Sequence, residues 1–180
     1  MSTAHPRSPY PLTLLYDGAC PLCRLEMHEI RYRAAPGQLL FIDIAEPGFD
    51  LEAFWSASAA AATATCPGLR GVNQALHGIG ADGAVYTGVE TIRLAYAAVG
   101  LGWLWAPTAW PLVRPLVDAG YRWFARHRHA ISSQLAPLIG VIVRRRERAH
   151  AARALAQIER MQRCHQAQRH SAASSGHCDL

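Results

Sequence analysis

The sequence predicts an α/β fold in the order strand, helix, strand, helix, strand, strand, helix, extended by a Trp/Pro-rich helical segment and a basic helical C-terminal tail. Two observations carry this order. Short apolar runs alternate with stretches of helical periodicity, and turn residues stand at the changeovers. Asp82-Gly83 lies between two further short apolar runs, which is a hairpin signature.

Leu12-Thr13-Leu14-Leu15-Tyr16 reads as the first strand and Asp17-Gly18 as the turn after it. Pro21 suits the first helical position, where a missing N–H costs nothing. Cys23, Met27, Ile30 and Ala34 fall on one face of the helix that follows, and Pro36-Gly37 stops it. Residues 39–44 form a second apolar run. A strand, a crossover helix and a strand imply a parallel pair with a right-handed connection.

Residues 50–64 read as an alanine-rich helical stretch bearing Phe54 and Trp55, ended at Cys66-Pro67-Gly68. Residues 76–80 and 84–87 form the arms of the hairpin. Thr87-Gly88-Val89-Glu90 fits a capping box, with Thr87 as the cap of a helix reaching about Val99. The order βαβα then ββα is that of the thioredoxin fold. Residues 102–128 hold Trp103, Trp105, Trp110 and Trp123 and are expected to pack back on the domain as short helices, with Tyr16 and Trp123 in the core. Residues 141–169 are rich in Arg and Ala and read as helical, with a narrow apolar stripe of Leu155, Ile158 and Met161. Residues 171–180 read as a disordered end.

The chain has 180 residues, 51% of them apolar, enough to bury the core of one ordinary domain. Charge is uneven. Residues 1–110 hold six Arg against nine acids, whereas residues 111–180 hold twelve Arg against four. An acidic-to-neutral domain followed by a basic arm accounts for this. The first residues lack an apolar stretch of signal-peptide type, so the expected compartment is the cytoplasm. There, five cysteines point to a functional pair plus stragglers, Cys66, Cys164 and Cys178, rather than a disulfide framework. Residues 94–113 carry no charge and match a membrane span in length, but Gly100, Gly102, Pro107 and Pro111 would break the helix. A buried or surface-docked aromatic segment is expected instead.

The chemistry concentrates in Asp17-Gly18-Ala19-Cys20-Pro21-Leu22-Cys23. A C-x-x-C pair at the end of a strand and the start of a helix is poised for redox chemistry. Unpaired first-turn N–H groups and the helix dipole favour the thiolate, which is the nucleophile in disulfide exchange. Cys20, at the helix start where exposure and field are expected to be greatest, is the attacking thiolate; Cys23, one turn on, resolves the mixed disulfide. The competing reading is half a zinc site or two inert core cysteines. Cys66 could be a third ligand but has no close partner. Asp17 either shuttles a proton to or from Cys23 or simply makes the turn, and local chemistry leaves both open. A nearby anion would oppose activation of Cys20. His28 reads as a solvated helix residue.

These residues, with Phe41-Ile42-Asp43-Ile44, the stretch from Leu76-His77 through Asp82-Gly83 to Gly88, and Tyr121-Arg122-Trp123-Phe124-Ala125-Arg126-His127-Arg128, resemble the DCC family of thiol-disulfide oxidoreductases over roughly residues 12–130. The resemblance implies a thioredoxin-like domain at 12–130, between a flexible N-terminus (1–11) and an Arg-rich tail (131–180). It also implies dithiol–disulfide exchange, and its Asp-x-x-Cys-x-x-Cys signature falls on Asp17, Cys20 and Cys23. That signature favours a functional Asp17. No prosthetic cofactor is implied. The partner would be a protein or low-molecular-weight disulfide, with peripheral membrane contact as a further expectation. One departure is that thioredoxins place a cis-proline before the third strand, whereas Val72-Asn73-Gln74-Ala75 precedes it here.

Cys164, His165, His170, His177 and Cys178 form a loose cluster whose spacing matches no compact metal site. Arg144, Arg145, Arg146, Arg148 and Arg153 could meet phosphate, but without aromatic interleaving no specific nucleic-acid binding is expected. A rival to the enzyme reading is an interaction module that keeps the fold and acts through its aromatic segment and basic tail.

Overall fold

The computed structural model describes residues 8–175, without the side chains of 147, 150, 154 and 164–175. Strands β1 (Leu12–Tyr16), β2 (Leu39–Asp43), β3 (His77–Ile79) and β4 (Val85–Thr87) form one mixed sheet in the order β2-β1-β3-β4. β1 and β2 are parallel, Leu12 opposite Leu39 and Tyr16 opposite Asp43. β3 runs antiparallel to both β1 and β4.

Alternation along β1 splits the core between the two sheet faces. Leu12 and Leu14 pack with Met27 and Ile30 of helix α1 (Pro21–Arg33) and Ala95 of helix α4 (Val89–Ala98). Leu15 packs on the other face with Leu51 and Trp55 of helix α2 (Leu51–Ala57) and Val72 of helix α3 (Gly68–Gln74). Asp50 caps α2, its Oδ1 accepting from Glu52 N and Ala53 N at 3.0 Å.

The stretch 50–64 is not one helix: α2 gives way to a 3₁₀ turn, Ala59–Ala62. Helix α3 was not expected, because Cys66-Pro67-Gly68 read as the end of a helix. Pro67 instead stands just ahead of the helix, and Gly68 takes a φ of 68° at its start. The Thr87 capping box does not form either. Gly88, at φ 63°, is the N-cap of α4 and no side chain caps it. Tyr121 packs there so closely that a Cβ on Gly88 would lie 3.1 Å from its ring.

Helix α5 (Gly102–Trp105) and a 3₁₀ turn (Ala106–Ala109) precede helix α6 (Arg114–Ser175). The expectation that the aromatic segment packs back holds for Trp105, whose ring lies 5.4 Å from Tyr96. It fails for Trp103, Trp110 and Trp123, which are 72%, 68% and 60% exposed. Residues 171–175, expected as part of a disordered end, belong to α6. Among the described residues, no helix is long and apolar enough to cross a membrane.

The chain divides into two compact units, Met1–Ala136 and Pro137–Leu180. The second is helical through Ser175, with Leu155, Ile158 and Met161 exposed. His177 and Cys178 lie outside the described residues, as do the side chains of Cys164, His165 and His170.

Candidate functional site

The site is built where β1 ends beside β2. Gly18 N donates to Asp43 Oδ1 at 2.9 Å, which ties the turn to the end of β2. A Cβ on residue 18 would meet Asp43 Oδ2 at 1.8 Å, so any larger residue would displace the carboxylate that holds the turn. Asp17 Oδ1 accepts from Ala19 N at 2.9 Å, an Asx turn that delivers Cys20 to the N-cap of α1. Pro21 occupies the first turn, and no acidic side chain stands there to oppose an anion.

Cys20 Sγ accepts from Cys23 N at 3.5 Å and lies 3.8 Å from Ser132 Oγ of α6. Its pKa is lowered to about 5. The chief cause is the hydrogen bond from the Cys23 thiol. Burial works against it, while the Cys23 N–H, the Ser132 hydroxyl and the Leu22 N–H assist. Cys23 shifts the opposite way: donation to Cys20, burial and the adjacent negative charge all keep it protonated. One proton is thus held on Cys23 and the charge on Cys20, the division a nucleophile and a resolving thiol need.

The exposure expected of Cys20 is reversed. Cys20 is fully buried, and Cys23 is the more open of the two. The reason lies more than a hundred residues away, in the turn of α6 that brings Arg128 and Ser132 over the start of α1. Arg128 Nη2 lies 2.8 Å from Asp17 Oδ2, both side chains being buried, and His129 Nε2 lies 2.9 Å from the same oxygen. Asp17 therefore anchors α6 as well as shaping its own turn. Sequence reasoning missed Ser132, His129 and the roles of Arg128 and Tyr121. The only available signal was the place of Tyr121 and Arg128 in the motif of residues 121–128.

Cys23 lines a cavity of about 280 Å³ whose walls are mostly apolar, including Leu22, Met27, Leu76, Trp105 and Phe124. Tyr121 closes one side, its hydroxyl accepting from Leu76 N at 2.8 Å. That bond engages the backbone just ahead of β3. The residue before Leu76, Ala75, is extended there, and the cis peptide bond of the described chain is at Tyr10–Pro11.

Cys66 is a free, half-buried thiol beside the core, and His28 is exposed on α1. Among the described residues, no three His, Cys, Asp or Glu side chains gather as a metal-binding group.

A chloroplastic protein of Arabidopsis thaliana described as uncharacterized, At5g50100, is 30% identical over 142 residues. That alignment covers 77% of this chain and 60% of the relative, so the chain spans less than two thirds of the relative's length. No solved structure matches the chain. The family model described as DCC1-like thiol-disulfide oxidoreductase matches residues 14–134, from the middle of β1 to just beyond Ser132 and including every residue of the Cys20 site. With its Asp17, Cys20 and Cys23 held together at the start of α1, the chain belongs to the DCC1-like thiol-disulfide oxidoreductase family.

Proposed function

We propose that this protein exchanges thiols and disulfides through Cys20 and Cys23 on a thioredoxin-like fold. The observation that carries the reading is the split titration of the pair, with a thiolate at the N-cap of α1 and a protonated thiol one turn later. The strand order β2-β1-β3-β4, with the dithiol after β1, supports the fold assignment.

In this reading the α6 turn that carries Arg128 and Ser132 first moves off the buried Cys20. The Cys20 thiolate attacks one sulfur of a substrate disulfide, forming a mixed disulfide and releasing the other sulfur as a thiolate that takes a solvent proton. The negative charge on Cys20 is then gone, so the largest cause holding the proton on Cys23, its hydrogen bond to Cys20, disappears together with the repulsion from that charge. Asp17, whose charge acts on Cys23, accepts that proton. Cys23 attacks Cys20 Sγ, the mixed disulfide breaks, and the second substrate thiol leaves with the proton. Two electrons pass from the dithiol to the substrate, with no prosthetic cofactor.

The substrate is a protein or low-molecular-weight disulfide, and a reducing compartment such as the cytoplasm would return the pair to the dithiol. Alkylation of Cys20 against pH, followed by equilibration in glutathione buffers, tests the reading. A titration midpoint near 5 and a reversible Cys20–Cys23 disulfide support it. An ordinary thiol pKa with no disulfide would overturn it.

The exposure of Trp103, Trp110 and Trp123 favours a second reading, an interaction module acting through this aromatic surface. Trp beside Arg also suits peripheral contact with a membrane interface. If a Cys20→Ser, Cys23→Ser variant keeps its partner interactions, the module reading stands.

A further inference from the structure

A second cavity lies across Tyr121 from the one that Cys23 lines. It has a volume of about 410 Å³ and is framed by the end of α3, the start of α4 and the first turns of α6. Its charge is unbalanced. Arg114 is paired, 4.0 Å from Glu90 and 3.7 Å from Asp118, so the carboxylates of the cavity already have a cation. Arg93 donates to Thr108 O at 2.8 Å. Arg122 and Arg126 also line the cavity, and among the described residues no ion pair or hydrogen bond engages either.

Arg122 and Arg126 are four apart on one helix, where like charges oppose each other. Two further groups face the same space. Gly88 leaves the first N–H groups of α4 without a side-chain cap, and Val89 and Glu90 line the cavity. His77 is buried there, with Nδ1 donating to Ala75 O at 2.9 Å, and burial favours its neutral ring, so Nε2 offers the anion no proton and the guanidinium groups carry the recognition. Two free guanidinium groups thus meet at one cleft with the start of α4, whose first turn also carries Glu90. Guanidinium groups pair in bidentate fashion with planar carboxylates and with phosphates, and helix N-termini accept the same anions.

We propose that this cleft binds a small molecule through an oxyanion head, carboxylate or phosphate, held between Arg122 and Arg126. The site is separate from the dithiol and does not depend on it.

The test is calorimetric titration and thermal unfolding of the full chain with inorganic phosphate and, separately, with citrate, at constant ionic strength maintained with sodium chloride. The expected result is saturable one-to-one binding of at least one anion, with a rise in unfolding temperature that follows its occupancy. The stronger of the two identifies the head group. Arg122→Ala with Arg126→Ala should weaken binding at least tenfold while leaving the unliganded protein as stable as before, because a repulsion is removed. Arg122→Gln alone gives an intermediate loss and decides the matter should the double variant misfold by circular dichroism. Arg144→Ala with Arg145→Ala, on the second unit, should change nothing. Absence of saturable binding by either anion, or an equal response from the double variant, would overturn the site. Either result leaves the thiol chemistry of Cys20 untouched.

Discussion

Arg128 and Asp17, 111 residues apart in sequence, form a buried ion pair of 2.8 Å, and this pair holds α6 over the Cys20 thiolate. The carboxylate also accepts from Ala19 N, so one side chain organises the turn before the dithiol and the helix above it. Removing Arg128 takes the guanidinium from a buried carboxylate and leaves it, among the described residues, only His129 Nε2 and the Ala19 N–H. Arg128→Ala is therefore expected to destabilise the protein by about 3–5 kcal/mol, read by denaturant unfolding. Arg128→Met with Asp17→Asn should recover much of the loss. If the single variant is no less stable than the parent, the pair is not an anchor.

Ser132 acts on Cys20 in two ways, covering the sulfur and stabilising its charge. Ser132→Ala should raise the Cys20 pKa and yet speed alkylation measured well above that pKa, because thiolate formation is then complete and only access differs. Cys23→Ala should raise the pKa further, since the Cys23 hydrogen bond is the largest cause of the shift. Alkylation profiles of the three proteins, followed by mass, give the order. A Ser132→Ala profile identical to the parent would remove Ser132 from the site.

The titration of the pair makes the stability of the reduced protein depend on pH. The Cys20 pKa is lower in the fold than the ordinary value of 9.0, so its contribution is fully present above that value and is lost as pH falls to about 5. Cys23 is raised, so its contribution is present below 9.0 and declines as pH rises beyond it. Reduced protein should thus gain stability between about pH 5 and pH 9 relative to a Cys20→Ser, Cys23→Ser variant and lose it above. Urea midpoints across that range, in reductant, check the sign. A flat difference between the two proteins would contradict the split titration.

What the sequence makes legible here is what neighbours in the chain determine. The apolar alternation of residues 12–16, the Pro21 start of α1 and the Asp82-Gly83 turn each specify a local backbone, and β1, α1 and the hairpin appear where they were expected. Gly83 adopts a φ of 81° in that turn. The misreadings around the site come from partners distant in sequence. Thr87 loses the cap position because Gly88 takes a left-handed conformation where Tyr121 packs close. The dithiol itself was legible from its spacing, but the burial of Cys20 depends on Ser132, and the anchoring role of Asp17 depends on Arg128. No local pattern announces either contact.

Tyr121 joins these regions, with its ring against Gly88 and its hydroxyl accepting from Leu76 N at 2.8 Å. Tyr121→Phe keeps the ring and removes the acceptor, leaving the Leu76 N–H without its partner ahead of β3. A buried donor left unsatisfied costs about 1–3 kcal/mol, and this one is partly buried, so the variant should lose up to about that much by urea unfolding. The same change frees the backbone next to the cavity that Cys23 lines. Hydrogen exchange at Leu76 should accelerate, while exchange on the opposite face of the sheet, at Phe54 and Trp55 of α2, should change only by the global loss of stability. An unchanged exchange rate at Leu76 would mean that the hydroxyl does not hold this edge of the chain.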